Sequence, residues 1–158
     1  MKKHFMKHPI DVVIGGILAL MIAMGVGRFS YTPILPILQK DVGLSVVNAG
    51  YLASSNYIGY LLGAMMAGII RWKGESLTFF RMILWIAIIS IAGMGLTENC
   101  YLWVLLRFIS GITSALIFVF TSNIVLDVLA GHQRMTWSGL FYSGVGFGIV
   151  WTGIVVPI

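Results

Sequence analysis

The stretch Val12-Val-Ile-Gly-Gly-Ile-Leu-Ala-Leu-Met-Ile-Ala-Met-Gly-Val-Gly27 carries no charge, and Arg28 follows it directly. Extended by Ile10 at one end and by Ser30 to Leu38 at the other, the segment exceeds the roughly 20 residues of helix that cross a bilayer core. Backbone N–H and C=O groups find no water in lipid, so the segment has to satisfy them internally as a helix. Arg28 then sits at bilayer depth. An ionised side chain there costs about 2.5–3.5 kcal/mol or more, unless it faces a bundle interior or a wet cavity. Arg107 repeats the arrangement inside a later apolar run. Two cations with no acid near them in sequence make such a cavity electropositive, which implies a transport-type membrane protein.

Composition points the same way. Of 158 residues, 59% are hydrophobic and 9% charged, and mean hydropathy is +0.98, far from the balance of a soluble domain. The net charge of +5 does not imply nucleic acid, because the basic residues are dispersed between apolar blocks rather than gathered on one face. Cys100 is the only cysteine, so no internal disulfide can form. Lys2, Lys3 and Lys7 before the first apolar run imitate a signal peptide. That run is too long and lacks a small-x-small cleavage site, so it reads as an uncleaved first helix.

Apolar runs divide the chain into five expected spans within one domain, over about 10–38, 46–70, 77–96, 101–129 and 135–158. The fold class is therefore all-α and transmembrane. Gly43 and Gly74 suit the turns, Ser45 and Ser76 suit N-caps, and Pro33 and Pro36 should kink or break the outer end of the first span. With a cytoplasmic N-terminus, Lys2, Lys3, Lys7, Arg71, Lys73, Arg81 and Arg134 lie inside and only Lys40 outside. Seven against one satisfies the positive-inside rule and leaves the C-terminus outside. Arg28 then stands about 4.5 Å, and Arg107 about 10 Å, outward of the midpoints of their spans.

Helical periodicity gives each arginine a stripe of companions. Ser110, Gly111, Ser114, Thr121 and Ser122 share an arc of about 120° with Arg107, and Met21, Met24, Gly25, Tyr31 and Thr32 share one with Arg28. Polar stripes of this kind can line a watery path. Taken singly, Ser and Thr serve as inter-helix hydrogen bonds, worth about 0.6 kcal/mol each, whereas the arginines point to a cavity in preference to snorkelling outward. The second span carries Asn56, Gly59, Tyr60, Gly63 and Ala67, with Gly59 and Gly63 in a GxxxG pattern that permits close helix approach. The fifth span is rich in glycine, including Gly144 and Gly148. Gly59, Gly63, Gly111, Gly144 and Gly148 read as packing residues, and Asn56 as an inter-helix bond or a ligand contact.

Gly25-Val-Gly-Arg-Phe-Ser-Tyr-Thr-Pro-Ile-Leu-Pro36 resembles the first-span signature of an uncharacterised bacterial branch of the major facilitator superfamily. Leu106-Arg107-Phe-Ile-Ser-Gly111 resembles that superfamily's Arg-containing fourth-span motif, and the glycine-rich fifth span with Pro157 loosely resembles its glycine-and-proline hinge. The resemblance covers nearly the whole chain. It implies an inner-membrane secondary transporter for a small organic solute, with the first and fourth helices bordering a central cavity. Arg28, Tyr31, Thr32, Asn56, Arg107, Ser110 and Ser114 become candidate substrate-binding residues, with Arg107 alternatively linked to proton-driven switching. The positive charge favours an anionic or carboxylate-bearing solute.

Two departures from the family pattern qualify this. Gly68-Ile-Ile-Arg71-Trp72-Lys73-Gly74 keeps the glycine and the basic residues of the family's second-to-third loop but lacks its acid. A cytoplasmic charge latch would therefore need Asp127 as the partner of Arg71, Lys73 or Arg81, the alternative being a solvated Asp127. Family members also have two six-helix halves that rock about a midplane site. Five spans correspond to an incomplete N-terminal half, which is not expected to transport alone and whose partners would be the bilayer, the solute, and a separate C-terminal half or another copy. An enzyme is not expected: there is no HExxH, GxSxG, phosphate loop or membrane-depth carboxylate pair, His4, His8 and His132 lack metal-ligand spacing, and no cofactor is implied. The rival is a small membrane protein that self-associates or anchors a partner through its glycine faces, or an inactive fragment.

This orientation places Cys100 in a short outer loop. A membrane-impermeant maleimide should label it in intact cells, and labelling only after the membrane is opened would reverse the assignment.

Overall fold

The computed structural model describes residues 8–69 and 77–156. Among them five helices overlay the five apolar runs. Helix α1 spans Pro9–Asp41, α2 Val46–Ile69, α3 Leu77–Met94, α4 Cys100–Gly131 and α5 Ser138–Val155, the last entered through a 3-10 turn at Met135–Trp137. Three segments are long and apolar enough to cross a membrane by length and composition: α1, α4, and Met135–Val155. Helix α2 is long enough, but Asn48, Ser54, Ser55 and Asn56 dilute its apolar character. Helix α3 is a shorter apolar helix.

Local chemistry fixes the boundaries. The Ser45 hydroxyl accepts the Asn48 N–H at 3.1 Å and caps α2, after a turn in which Gly43 adopts φ +70°, open to glycine without strain. Asn99 caps α4 by accepting the N–H groups of Tyr101 and Leu102 at 2.9 and 3.4 Å. Ser76 lies outside the described residues, as does Pro157.

The first span departs from its expected form. Its winding changes not at Pro33 and Pro36 but over Met21–Phe29, which is π-helical, between α-helical turns at Pro9–Leu20 and Tyr31–Asp41. Pro36 sits inside the C-terminal α-helical part. The reason is directional: a proline takes the donor from the carbonyl four residues earlier. Pro33 therefore leaves the Phe29 carbonyl without its helical partner, and Phe29 is where the π segment ends.

Helix α4 is the hub. Its longest contact runs along α2, and it also packs on α3 and on both the α-helical start and the π segment of α1. Helix α5 lies against α1. One core cluster joins α1, α2, α3 and α4 around Phe120 and Ile117, a second joins α1, α4 and α5 around Phe141 and Leu20, and a third joins the C-terminal part of α1, α2 and α4 around Trp103 and Leu52. Large apolar side chains also face outward, among them Leu18, Trp85, Ile89 and Phe147, each more than half exposed. Such a surface suits lipid rather than water.

Glycine sets the closest approaches. A Cβ at Gly63 would stand 2.5 Å from the Ile112 carbonyl oxygen, and one at Gly59 or Gly111 would run into the backbone of Phe108 or Asn56. A Cβ at Gly144 would stand 2.5 Å from the Ile17 carbonyl oxygen, and Gly25 and Gly148 face each other backbone to backbone. Gly111→Val should therefore destabilise the bundle by about 1–3 kcal/mol or more, by overpacking. Gly146→Ala, with nothing within 4 Å of the added methyl, should change stability by at most about 1 kcal/mol, in the stabilising direction. Unfolding in mixed micelles measures both, and equal losses would contradict this packing.

Candidate functional site

The close contact of α2 with α4 sets up a cluster at the meeting of α1, α2 and α4. Asn56, almost fully buried on α2, reaches across to donate to the Arg107 carbonyl at 2.9 Å, and Ser55 beside it donates to the Val104 carbonyl at 2.7 Å. Arg107 on α4 is only 5% exposed. Its guanidinium lies 4.4 Å from the centre of the Tyr31 ring, and one of its terminal nitrogens points at the Gly27 carbonyl at 3.4 Å, a long bond. The Tyr31 hydroxyl in turn donates to the Ala49 carbonyl on α2 at 3.0 Å.

Arg28 approaches from the last turn of the π segment. Its guanidinium carbon stands 4.0 Å from the Tyr60 ring centre and 5.1 Å from that of Tyr57, both on α2. Cation–π contacts of this kind contribute about 0.5–1 kcal/mol when exposed and about 2 when desolvated. They do not neutralise charge. The Nε atoms of Arg28 and Arg107 are buried without a hydrogen-bond partner. Among the described residues, the acids Asp11, Asp41, Glu98 and Asp127 are all exposed, and none pairs with either arginine. Two cations thus share one region of an apolar bundle with aromatic rings and carbonyls as their neighbours and no counter-ion.

The expected site residues divide. Arg28, Tyr31, Asn56 and Arg107 come together. Ser110 and Ser114 are buried beside them, but their hydroxyls are turned to packing and not to an open path: Ser114 donates to the Ala23 carbonyl at 2.8 Å and Ser110 approaches the Gly27 carbonyl at 3.4 Å. The polar stripe of α4 therefore faces α1, and these two serines serve as inter-helix hydrogen bonds rather than lining a watery path. The reason lies in the π segment, whose carbonyls accept these donors. Thr32 is exposed. Thr121 and Ser122, farther along the stripe, are buried with hydroxyls that have no partner.

Of the latch residues, Arg71 and Lys73 lie outside the described residues, while Arg81 and Asp127 are both exposed and form no ion pair with each other. No group of three or more His, Cys, Asp or Glu side chains is placed to hold a metal among the described residues. An open groove of about 640 Å³ runs between α2 and the start of α4, lined by Tyr51, Ser55, Ile58, Tyr101 and Phe108 among others, and neither arginine lines it. Sequence reading passed over Tyr57. The available signal was its spacing of three from Tyr60, which puts both rings on one face of α2.

Residues 20–158 match the family model described as "Uncharacterised MFS-type transporter YbfB". The chain belongs to this family of major facilitator transporters. It is similar to the uncharacterised MFS-type transporter YcaD of Escherichia coli O45:K1 (strain S88 / ExPEC), at 25% identity over 143 residues, covering 84% of this chain and 36% of that protein. It is likewise similar to YcaD of Salmonella arizonae, at 25% identity over 145 residues, with 89% of this chain and 37% of that protein covered. The chain thus spans little more than a third of the length of these curated relatives. No solved structure matches it. Family and fold together make it an all-helical integral membrane protein of a transporter family.

The Tyr31 ring and its hydroxyl should contribute separately. Tyr31→Phe keeps the ring beneath Arg107 and should cost about 0.6 kcal/mol, the value of one inter-helix bond. Tyr31→Leu also leaves the buried cation without its aromatic face and should cost about 1–2 kcal/mol more. Equal losses for the two variants in micelle unfolding would deny the ring its role.

Proposed function

We propose that this chain forms the N-terminal part of a secondary transporter for a small organic anion, carried through the inner membrane by alternating access. The observation that carries the reading is the pair of guanidinium groups, one buried and one half-buried, that no carboxylate among the described residues neutralises. A desolvated cation without a counter-ion costs free energy that an anionic ligand would recover. Arginine's planar fork also matches a carboxylate bidentately. Arg28 and Arg107 make the charged contact, with Tyr57 and Tyr60 holding Arg28 and Tyr31 holding Arg107.

In this reading the chain crosses the membrane five times, with its N-terminus in the cytoplasm. Alternating access rocks two helix bundles about a midplane site, so the transport cycle belongs to an assembly that includes the remaining helices, from a longer chain, a separate C-terminal half or another copy. Any carboxylate that couples transport to protons lies in those helices, because the acids described here are at helix ends and in turns. Asp127 remains available for a cytoplasmic latch with Arg71, Lys73 or Arg81 in another state of the cycle.

Thermal stability of the purified protein in detergent, titrated with acetate, benzoate and benzylammonium, tests the charge preference. The carboxylates should stabilise it and the amine should not. Arg28→Gln should weaken carboxylate binding at least tenfold. Stabilisation by the amine, or carboxylate binding untouched by Arg28→Gln, would remove Arg28 from the site.

A further inference from the structure

The π-helical segment Met21–Phe29 sits between the N-terminal and C-terminal parts of α1, and it ends on the residue after Arg28. A π turn closes its hydrogen bond over five residues rather than four, so it takes up one residue more than an α turn. In an α-helix one residue is about 100° of rotation. The winding of this segment therefore decides where everything beyond it points relative to Pro9–Leu20. The residues so aimed are Arg28, at Tyr57 and Tyr60 of α2, and Tyr31, at Arg107.

Three polar groups on α4 take hold of two carbonyls of this segment. The Ser114 hydroxyl donates to Ala23 at 2.8 Å, and Ser110 and Arg107 both reach for Gly27 at 3.4 Å. Ser30, just beyond it, bonds back to the Val26 carbonyl. On the opposite side, Gly25 lies against the backbone of Gly148 in α5, too tight for any side chain. The segment is thus held between a row of donors and a glycine contact. The short Ser114 bond is the strongest of these ties.

We propose that Ser114 is a positioning residue for the arginine site. By holding the Ala23 carbonyl it keeps Met21–Phe29 in π winding, and that winding aims Arg28 and Tyr31 at their partners. Without the hydroxyl, the segment relaxes toward α winding and the C-terminal part of α1 turns about its own axis. The inference deepens the transport reading and rests on it only for the importance of where Arg28 points.

Spin labels on cysteines placed at Thr32 and Tyr101, in a Cys100→Ser background, read the rotation directly. Both sites are exposed, and a turn of about 100° at a helix radius of about 5–6 Å displaces the Thr32 label by about 8 Å. Deleting Val26 removes the extra residue, so the shortened segment in α winding keeps the rest of α1 aimed as the intact π segment does. Ser114→Ala should shift the distance distribution when Val26 is present but not in the Val26 deletion, and Ser114→Thr, which keeps the hydroxyl, should retain the original. An unchanged distance in Ser114→Ala would overturn the role of Ser114. A distance shifted in the Val26 deletion alone would overturn the role of the winding, and that variant decides this even if Ser114→Ala does not fold. Because no ligand enters the measurement, its failure is separate from a failure of anion binding through Arg28.

Discussion

Polar side chains in this bundle donate to main-chain carbonyls of neighbouring helices, and the rest of the structure is arranged around that interaction. Ser55, Asn56, Ser114 and Tyr31 each make such a bond between helices, and Trp103 ties the start of α4 to the Met94 carbonyl at 2.9 Å. A chain with 9% charged residues cannot stitch helices together with ion pairs. In lipid the hydrophobic effect does not drive helices together either, so association depends on packing and on short polar bonds. A serine hydroxyl is short. It reaches a carbonyl on the next helix only if the two backbones come close, and this is why Gly59, Gly63 and Gly111 lie in the same contact as Ser55 and Asn56.

The same geometry explains how Arg107 can be buried without an acid. Its neighbours are a tyrosine ring, the Gly27 carbonyl and the polar backbone of a distorted helix. These are partial charges, and they soften the desolvation penalty without cancelling the positive charge. A carboxylate at this depth would have closed the site as a structural salt bridge. Its absence among the described residues keeps an electropositive region in the bundle, flanked by a second guanidinium on Tyr60. In the proposed reading, stability and affinity for anions are set by the same residues. Tighter neutralisation of either arginine would stabilise the fold and remove the reason to bind.

The class of fold and the five helices were legible because the signals that mark membrane helices are long and redundant. A run such as Val12–Gly27 reads as a membrane helix once its apolar extensions are added, and the cap at Ser45 follows from side-chain chemistry next to an apolar run, whereas the Asn99 cap was passed over. Arg28 and Arg107 were legible for the opposite reason: one charge in such a run stands out. Which way the serines point was not. Helical periodicity puts Ser110 and Ser114 on the arginine face of α4 but does not say whether that face meets water or another helix. The answer depends on a partner backbone far away in sequence, and on a change in its winding.

That winding was the least legible feature, although part of its cause is local. Pro33 was read as a kink at its own position, whereas the carbonyl it deprives is Phe29, one turn upstream. The residues around it favour a departure from α geometry: Gly25 and Gly27 offer little side-chain packing to hold the regular ladder, and Ser30 supplies a competing hydroxyl to the Val26 carbonyl. Sequence gives each of these tendencies but not their sum, since it is the donors on α4 that select the π form over a simple bend. The C-terminal part of α1 is therefore specified jointly by its own proline and by a serine more than eighty residues later in the chain. A change at either place alters where Arg28 points without touching Arg28.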